Sequence, residues 1–496
     1  MAPEKIRLDP TPGKLIFALR AIGYSFPQAV ADLVDNSINA GAQGVAIRAV
    51  TSPRGIARVV IADDGHGMTR SELDESMRLG SDVHREVTSL GKYGMGLKLA
   101  SLSQAQKLTV ISRSKSHCGG RRWTIGGINA GWECEILEDK EVQEELDNPS
   151  DSLDLSKHGT MVIWEELDKI KASKNGVDQT VVLLFNYLKQ HLGLHFHRFL
   201  EDDRLRIHLE KVDERRPKEY RFEQVAALNP FAYSGSGDSE YPRSFELELG
   251  SGKSLAMDAH VWPPNAVESN YRLGGKAASR QGFYFYRNDR LIQAGGWNET
   301  RNSEAEPHLS LARISVDLPK DLDEVFGLSV QKSSIQVPPT FSIGLNKSKA
   351  KDGTTFAEYV KLAQRVYRSG EKKNAANHPI VPSGGLKKGL RRDLQKVLAG
   401  GNGRTRRVDF VWEPLPHNVV FELNRESHYI ALNSHYRRRL LQGQSSTAGD
   451  AALLKVLLFM MSKDLLFSER FSSQQREQVD SMNKVLLAVI DSLVEA

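Results

Sequence analysis

The chain has 496 residues, 40% hydrophobic and 26% charged, an ordinary balance for a soluble protein of two to four domains. Two cysteines, Cys118 and Cys134, cannot build a zinc site or a disulfide framework. The net charge of +5 is too small over this length to select a partner.

Residues 1–10, MAPEKIRLDP, lack the apolar core of a signal peptide. The longest apolar run, 451–461, contains Lys455 and is too short to span a bilayer. A cytoplasmic protein without a membrane segment is the expectation. Residues 1–14 read as a polar N-terminal arm and 15–23 as a short helix. Residues 25–40, SFPQAVADLVDNSINA, follow as the helix around which the chain is organised. Ser25 and Gln28 have capping-box spacing, and Pro27 suits a first turn. Ala29, Val30, Leu33, Val34 and Ile38 recur at helical spacing as a buried stripe. Asp32 and Asn36 lie four apart on another face. A carboxylate there can orient and deprotonate a water, and a carboxamide oxygen can ligate Mg²⁺.

Residues 45–50 and 57–63 predict two strands of an antiparallel hairpin turning near Pro53 and Gly55. The second runs into Asp63-Asp64-Gly65-His66-Gly67-Met68. Glycines beside a carboxylate at a strand end make a tight turn and admit a flat ligand. Asp63 can accept from an exocyclic amine such as that of adenine. A plain Asp-Gly turn reads equally well from this hexapeptide alone. A polar helix over 70–79 and the stretch 80–90 lead to Gly91-Lys92-Tyr93-Gly94-Met95-Gly96-Leu97-Lys98, ahead of a helical run. Backbone N–H groups at such a helix start make a phosphate cradle, although GxxxxGK[ST] is absent. Strands are expected at 107–114, 121–128 and 160–167, the last opening on Gly159-Thr160, with an acidic surface loop or solvated helix over 138–154.

Together DLVDN (32–36), DDGHG (63–67), GKYGMG (91–96) and GT (159–160) resemble the nucleotide-binding motifs of the GHKL superfamily. Its members include gyrase B subunits, heat-shock chaperones, histidine kinases and MutL. The wording is closest to MORC ATPases and their bacterial relatives. The resemblance implies an α+β fold: a two-layer GHKL (Bergerat) α/β sandwich over 15–176, with ATP between the layers. Asn36 would hold Mg²⁺, Asp63 would read adenine, and Gly65, Gly67 and Met68 would shape its pocket. Gly91, Tyr93, Gly94, Met95, Gly96 and Leu97 would cradle phosphates, with Lys98 adding charge and Thr160 supporting Asp63. One departure stands out. The superfamily's usual general base is Glu, and Asp32, one methylene shorter, occupies its place, so slow hydrolysis is implied. Asp35 lies on the wrong side of the helix for that role and is expected to support the site from behind.

From 177 to 368 a long helix (181–196) precedes strands at 204–212, 244–250, 254–262, within 281–297 and at 312–319. The Asn288-Asp289 turn is a hairpin signal. This part resembles the transducer domain of gyrase, MutL and MORC proteins. The resemblance puts Lys332, in FGLSVQKSSIQVP, where a lysine reaches the γ-phosphate. After a helix over 356–368, residues 369–385 read as a linker and 386–496 as a basic, mainly helical region. Residues 381–441 hold twelve Lys/Arg against five Asp/Glu, a balance of +7, interleaved with Trp412, Tyr429 and Tyr436. That clustering suits double-stranded DNA, and equally a solvated basic face. In the last helix Val479, Met482, Leu486, Val489 and Leu493 form a stripe expected to face a core. The resemblance implies a Mg²⁺-dependent ATPase with ATP-gated homodimerisation, a DNA clamp, a role in anti-phage defence or DNA maintenance, and nuclease or helicase partners. A chaperone acting on protein clients and a non-hydrolysing ATP switch are the alternatives.

Overall fold

The computed structural model describes residues 11–21, 23–79, 96–147, 152–170, 176–250, 252–301, 306–323, 325–327, 335–377, 379–399, 405–425, 427–442, 447, 449–467 and 471–492. They fall into two compact units, 1–368 and 369–496.

The first unit opens with helices α1 (Pro12–Arg20) and α2 (Phe26–Asn39). The capping box on α2 forms as the sequence requires: Ser25 accepts from Gln28 N–H while the Gln28 side chain accepts from Ser25 N–H. The hairpin β1 (Gly44–Ser52) and β2 (Gly55–Asp63) follows, then α3 (Arg70–Met77) and α4 (Gly96–Gln104). Strands β3 (Lys107–Arg113) and β4 (Cys118–Thr124) come next, then α5 (Ile125–Gly131), β5 (Glu135–Ile136), α6 (Asp139–Leu146) and β6 (Gly159–Glu165). Residues 125–128, expected to continue a strand, are helical because Thr124 accepts from Gly127 N–H as an N-cap.

Helices α7 (Val177–His195) and α8 (His197–Glu201) lead to β7 (Arg206–Asp213) and β8 (Arg216–Gln224). The eight strands form one sheet, ordered β5-β4-β3-β6-β2-β1-β7-β8 and antiparallel except for β1–β7. The boundary expected between 176 and 177 therefore cuts through a sheet. β7 joins β1 by eight paired residues, a long-range register invisible to local pattern. One face of the sheet packs with Ala29, Val30, Leu33, Val34, Leu99, Leu102, Leu188 and Leu192 in the main core. The other face is closed by Val142, Leu146, Leu153 and Leu155, so the acidic 138–154 stretch is half core element rather than wholly solvated.

A second sheet follows. It is built from β9 (Arg243–Gly250), β10 (Lys253–Val261), β11 (Gly282–Arg287), β12 (Arg290–Ala294), β13 (Ala312–Asp317) and β14 (Lys349–Ala350). Its order is β12-β11-β13-β10-β9-β14. Helices α9 (Ser269–Arg272), α10 (Pro339–Lys347) and α11 (Phe356–Asn377) complete this part. The β11–β12 turn carries Asn288 and Asp289 at φ 47° and 63°, the left-handed pair of a type I′ hairpin, as the sequence predicts. Residues 369–377, read from sequence as linker, continue α11. Glu371, Lys372, Lys373, Ala375 and Ala376 are good helix formers, and the first proline is Pro379.

In the second unit β15 (Ile380–Pro382), α12 (Lys388–Ala399), β16 (Arg406–Glu413), β17 (Phe421–Asn424) and β18 (Tyr429–Asn433) precede helices α13 (Arg437–Leu441), α14 (Ala452–Leu466) and α15 (Ser473–Ser492). Helix exceeds strand, as expected, yet a four-stranded mixed sheet, β15-β16-β18-β17, organises the core. Pro382 is tolerated because β15 is an edge strand. Along α15 Val479, Met482 and Leu486 face the core, but Ile490 replaces the expected Val489, which is 51% exposed. Asp450 is a buried hub here, bonded to Trp412, Arg437 and Lys455.

Candidate functional site

The organising helix carries the site along its length. Asp32 is buried, and its Oδ2 accepts from Tyr24 Oη at 2.8 Å. Burial beside this carboxylate pushes the Tyr24 phenol far above its usual range, so it stays a donor. Tyr24 is in turn anchored by α4, where Gln104 Nε2 donates to its carbonyl at 3.0 Å. The start of α4 also reaches the same carboxylate: a Cβ on Gly96 would lie 3.8 Å from Asp32 Oδ2. A nine-residue helix thus begins beside Asp32, with the positive end of its dipole there. Asn36, one turn further along α2, is half-buried.

One residue beyond Asn36, Ser37 Oγ donates to Asp63 Oδ2 at 3.0 Å, and Gly65 N–H donates to Oδ1 at 3.0 Å. Burial dominates the Asp63 environment and lifts its pKa to about 6, with the Gly65 and Ser37 bonds pulling the other way. Asp64 behaves differently. Its Oδ1 accepts from Gln43 and Gly44 N–H at 2.8 and 2.9 Å and so fixes the entry to β1. His158 holds the turn through the carbonyls of Asp64 and Gly65, at 3.0 and 2.9 Å.

Strand pairing sets Asp63 opposite Thr160, and Thr160 opposite Ser112. Directly opposed residues share a face, so the three form one polar row across β2, β6 and β3. Ser112 Oγ lies 3.0 Å from Thr160 Oγ1 and accepts from Met68 N–H at 2.8 Å. Thr160 therefore meets Asp63 through register and Ser112 through its hydroxyl. The glycines of the turn are required by the protein itself. A Cβ at Gly65 would lie 2.7 Å from Ala40 Cβ. One at Gly67, where φ is 71°, would lie 1.9 Å from Arg113 O.

The expected residues thus line up along α2: Gly96 lies beside Asp32, Asn36 follows one turn on, and Ser37, next to Asn36, leads to Asp63 with Gly65, Gly67, Met68 and Thr160. Leu97 is half-buried in the first turn of α4. Lys98 is buried, and its Nζ donates to Arg78 O at 2.6 Å, so the charge expected at the phosphate loop is engaged beyond the end of α3. Gly91, Tyr93, Gly94, Met95 and Lys332 lie outside the described residues. Asn36 suits Mg²⁺ in one specific way. It offers a single carboxamide oxygen on a half-buried residue, and Mg²⁺ habitually takes the rest of its shell from phosphate and water. Among the described residues no cluster of three or more His, Cys, Asp or Glu forms a rival metal site. No helix among them is long and apolar enough to cross a membrane.

Sequence reasoning missed Tyr24, Ser37 and Ser112. Ser37 sits inside the motif it read and was visible. Ser112 depends on β3–β6 register, which leaves no local signal. Sequence reasoning also left unassigned the partner of Asp35. That residue is wholly buried three residues after Asp32, on the neighbouring side of α2, where Arg290 Nε donates to its Oδ1 at 2.7 Å. A cavity of about 580 Å³ between Leu15, Met77, Leu79, Trp123 and Trp132 is lined by none of these site residues.

Residues 24–160 match the family of histidine kinase-, DNA gyrase B- and HSP90-like ATPases. The match opens on Tyr24 and closes on Thr160, the span that the geometry assembles. The chain carries a GHKL ATPase domain. Two DNA mismatch repair MutL proteins are similar to it. That of Sphingopyxis alaskensis is 36% identical over 105 residues, 20% of this chain and 17% of that protein. That of Acidiphilium cryptum is 32% identical over 127 residues, 24% of this chain and 21% of that protein. Protein MICRORCHIDIA 6 of Arabidopsis thaliana is 33% identical over 89 residues, 17% of this chain and 13% of its own length. The chain matches about a fifth or less of the length of these relatives.

Proposed function

We propose that the protein is a Mg²⁺-dependent ATPase whose nucleotide cycle gates association of two copies on double-stranded DNA. The observation that carries this reading is one helix, α2, holding Asp32 at one end of the site and, at the other, Asn36 and its neighbour Ser37, which bonds Asp63. From residue 32 to residue 37 the helix advances about 7.5 Å, so one bound nucleotide can meet both ends. Asp63 accepts from the adenine amine, and the Thr160–Ser112 pair completes that edge. Asn36 holds Mg²⁺, which neutralises phosphate charge when bound. Asp32, steadied by the Tyr24 hydroxyl, orients the attacking water and takes its proton. Lys332 is the residue proposed to read the γ-phosphate from the second sheet's part of the chain.

DNA is favoured as the partner by the +7 balance over 381–441 and by relatives named for DNA mismatch repair. A defence or maintenance role with nuclease or helicase partners belongs to the same reading. A second reading has its own observation. Asp32 is an aspartate whose Oδ2 already accepts a hydrogen bond from Tyr24 Oη, which favours an ATP-sensing switch with little turnover.

The test is ATP turnover of wild type and Asn36→Ala, with and without double-stranded DNA, with mass followed by light scattering. Turnover raised by DNA, dimers with a non-hydrolysable analogue, and loss of both in Asn36→Ala are expected. Dimers without turnover select the switch. Turnover indifferent to DNA but raised by unfolded protein selects a chaperone. Absence of nucleotide binding in the wild type overturns the reading.

A further inference from the structure

The β11–β12 hairpin is fastened to the rest of the first unit by its three charged side chains, Arg287, Asp289 and Arg290. Arg287 forms a two-pronged pair with Asp323, at 2.8 and 2.9 Å. Asp289, at the turn, meets Arg198 and Arg204 at 3.3 and 3.0 Å. Arg198 stacks over Tyr286, 3.7 Å from the ring centre. Arg290 goes elsewhere: it reaches the buried face of α2 and pairs with Asp35. Both partners are at most 3% exposed, and the guanidinium sits 5.4 Å from the Phe196 ring centre. Beside it the imidazole Nδ1 of His195 is 2.6 Å from Leu291 O. The hairpin is thus held between α2 and the α7–α8 corner, on the edge strand of the second sheet.

A buried ion pair is a poor source of stability, because desolvating two charges offsets most of their attraction. Its strength is geometric. The 2.7 Å bond between two buried side chains ties α2 directly to the hairpin, so displacement of either element is felt by the other. Asp35 is flanked on α2 by Asp32, three residues earlier, and Asn36, the next residue. A helix of 14 residues transmits displacement as a body.

We infer that the Asp35–Arg290 pair is the coupling element of the ATPase: Arg290 is a positioning residue that sets α2, and thereby Asp32 and Asn36, according to the state of the second sheet. This rests on the reading of α2 as the nucleotide helix. The coupling is reciprocal. Nucleotide that draws on Asn36 shifts α2, and the shift reaches the hairpin through Arg290. Neither residue touches substrate. Arg287 and Asp289 anchor the hairpin to the other side, which leaves Arg290 as the charged link from the hairpin to α2 among the described residues.

The test uses the full chain in three forms: wild type, Arg290→Met, and the double variant Asp35→Leu/Arg290→Met. The double variant removes both charges and keeps apolar volume, so its thermal midpoint stays near that of wild type even if the single variant unfolds. Each form is assayed for nucleotide affinity, for kcat, and for hydrogen exchange in 283–294 with and without Mg²⁺ and a non-hydrolysable ATP analogue. The expected result is a folded double variant that binds nucleotide within about threefold of wild type but turns over at least tenfold more slowly. Its hairpin should lose the nucleotide-dependent change in exchange that wild type displays. If the double variant matches wild type in kcat and exchange, the pair is a packing device only and the inference fails alone. If wild type binds nucleotide without turnover, the exchange difference by itself decides. If wild type binds no nucleotide, the ATPase reading fails and this inference with it.

Discussion

Asp35 and Asp63 are both buried carboxylates within reach of α2, and the molecule treats them in opposite ways. Asp35 is neutralised by a full charge brought from the second sheet. Asp63 is held only by the neutral donors Ser37 and Gly65, and burial leaves its pKa near 6. The difference separates a joint from a binding group. A charge already matched by a cation has little left for a ligand. A carboxylate kept at a desolvation cost gains when a ligand's N–H arrives.

The largest way to break this comparison is to strand the Arg290 charge. Asp35→Ala should cost about 3–5 kcal/mol of unfolding free energy, because it removes the carboxylate paired with a buried guanidinium. Asp63→Asn should cost no more than about 1 kcal/mol, since the amide fits the space and the charge was expensive there. Urea denaturation of the two variants at pH 7.5 measures both. Equal losses would put the two carboxylates in one class. Nucleotide affinity should rank in reverse, with Asp63→Asn the weaker binder by isothermal titration.

An intermediate effect is expected at the turn that presents Asp63. Gly67→Ala should lose at least about 2 kcal/mol, from left-handed strain together with a Cβ 1.9 Å from Arg113 O. Gly41, at φ 70° with nothing within 4 Å of its added Cβ, is the internal control and should lose only about 1 kcal/mol. Similar losses in thermal unfolding at the two sites would remove close packing as the reason for Gly67.

The smallest effect sharpens the comparison through pH. The folded pKa of Asp63, about 6, lies above the ordinary 3.8. The cost of its burial is therefore fully present above pH 6 and is relieved as pH falls from 6 toward 3.8. His195, pushed down to about 4 by burial, and His197, to about 3, act in the opposite sense. They destabilise the fold as pH falls below 6.5. The stability difference between wild type and Asp63→Asn isolates the carboxylate and should move in favour of wild type between pH 7 and 5. Nucleotide affinity of wild type should fall below pH 6, by up to about tenfold per unit, as protonation removes the acceptor. In Asp63→Asn that dependence should vanish. A flat wild-type profile would mean that Asp63 does not receive the ligand.

The sequence by itself determined the local elements and the chemistry they carry. The capping box and apolar stripe of α2, the type I′ hairpin at Asn288-Asp289 and the glycines of the DDGHG turn are written in short-range pattern, because backbone preference and helical or strand period act over a few residues. The Asp32–Asn36 face and the strand ending in Asp63 were legible for the same reason. Tertiary structure alone decided the rest. It attached β7 and β8 to the first sheet, drew Lys98 to Arg78, set Ser112 beside Thr160 and matched Asp35 with Arg290, 255 residues away. Each of these depends on strand register or on two elements meeting across the core. The free energy of such contacts comes from burial and pairing between distant segments, which no window of sequence contains.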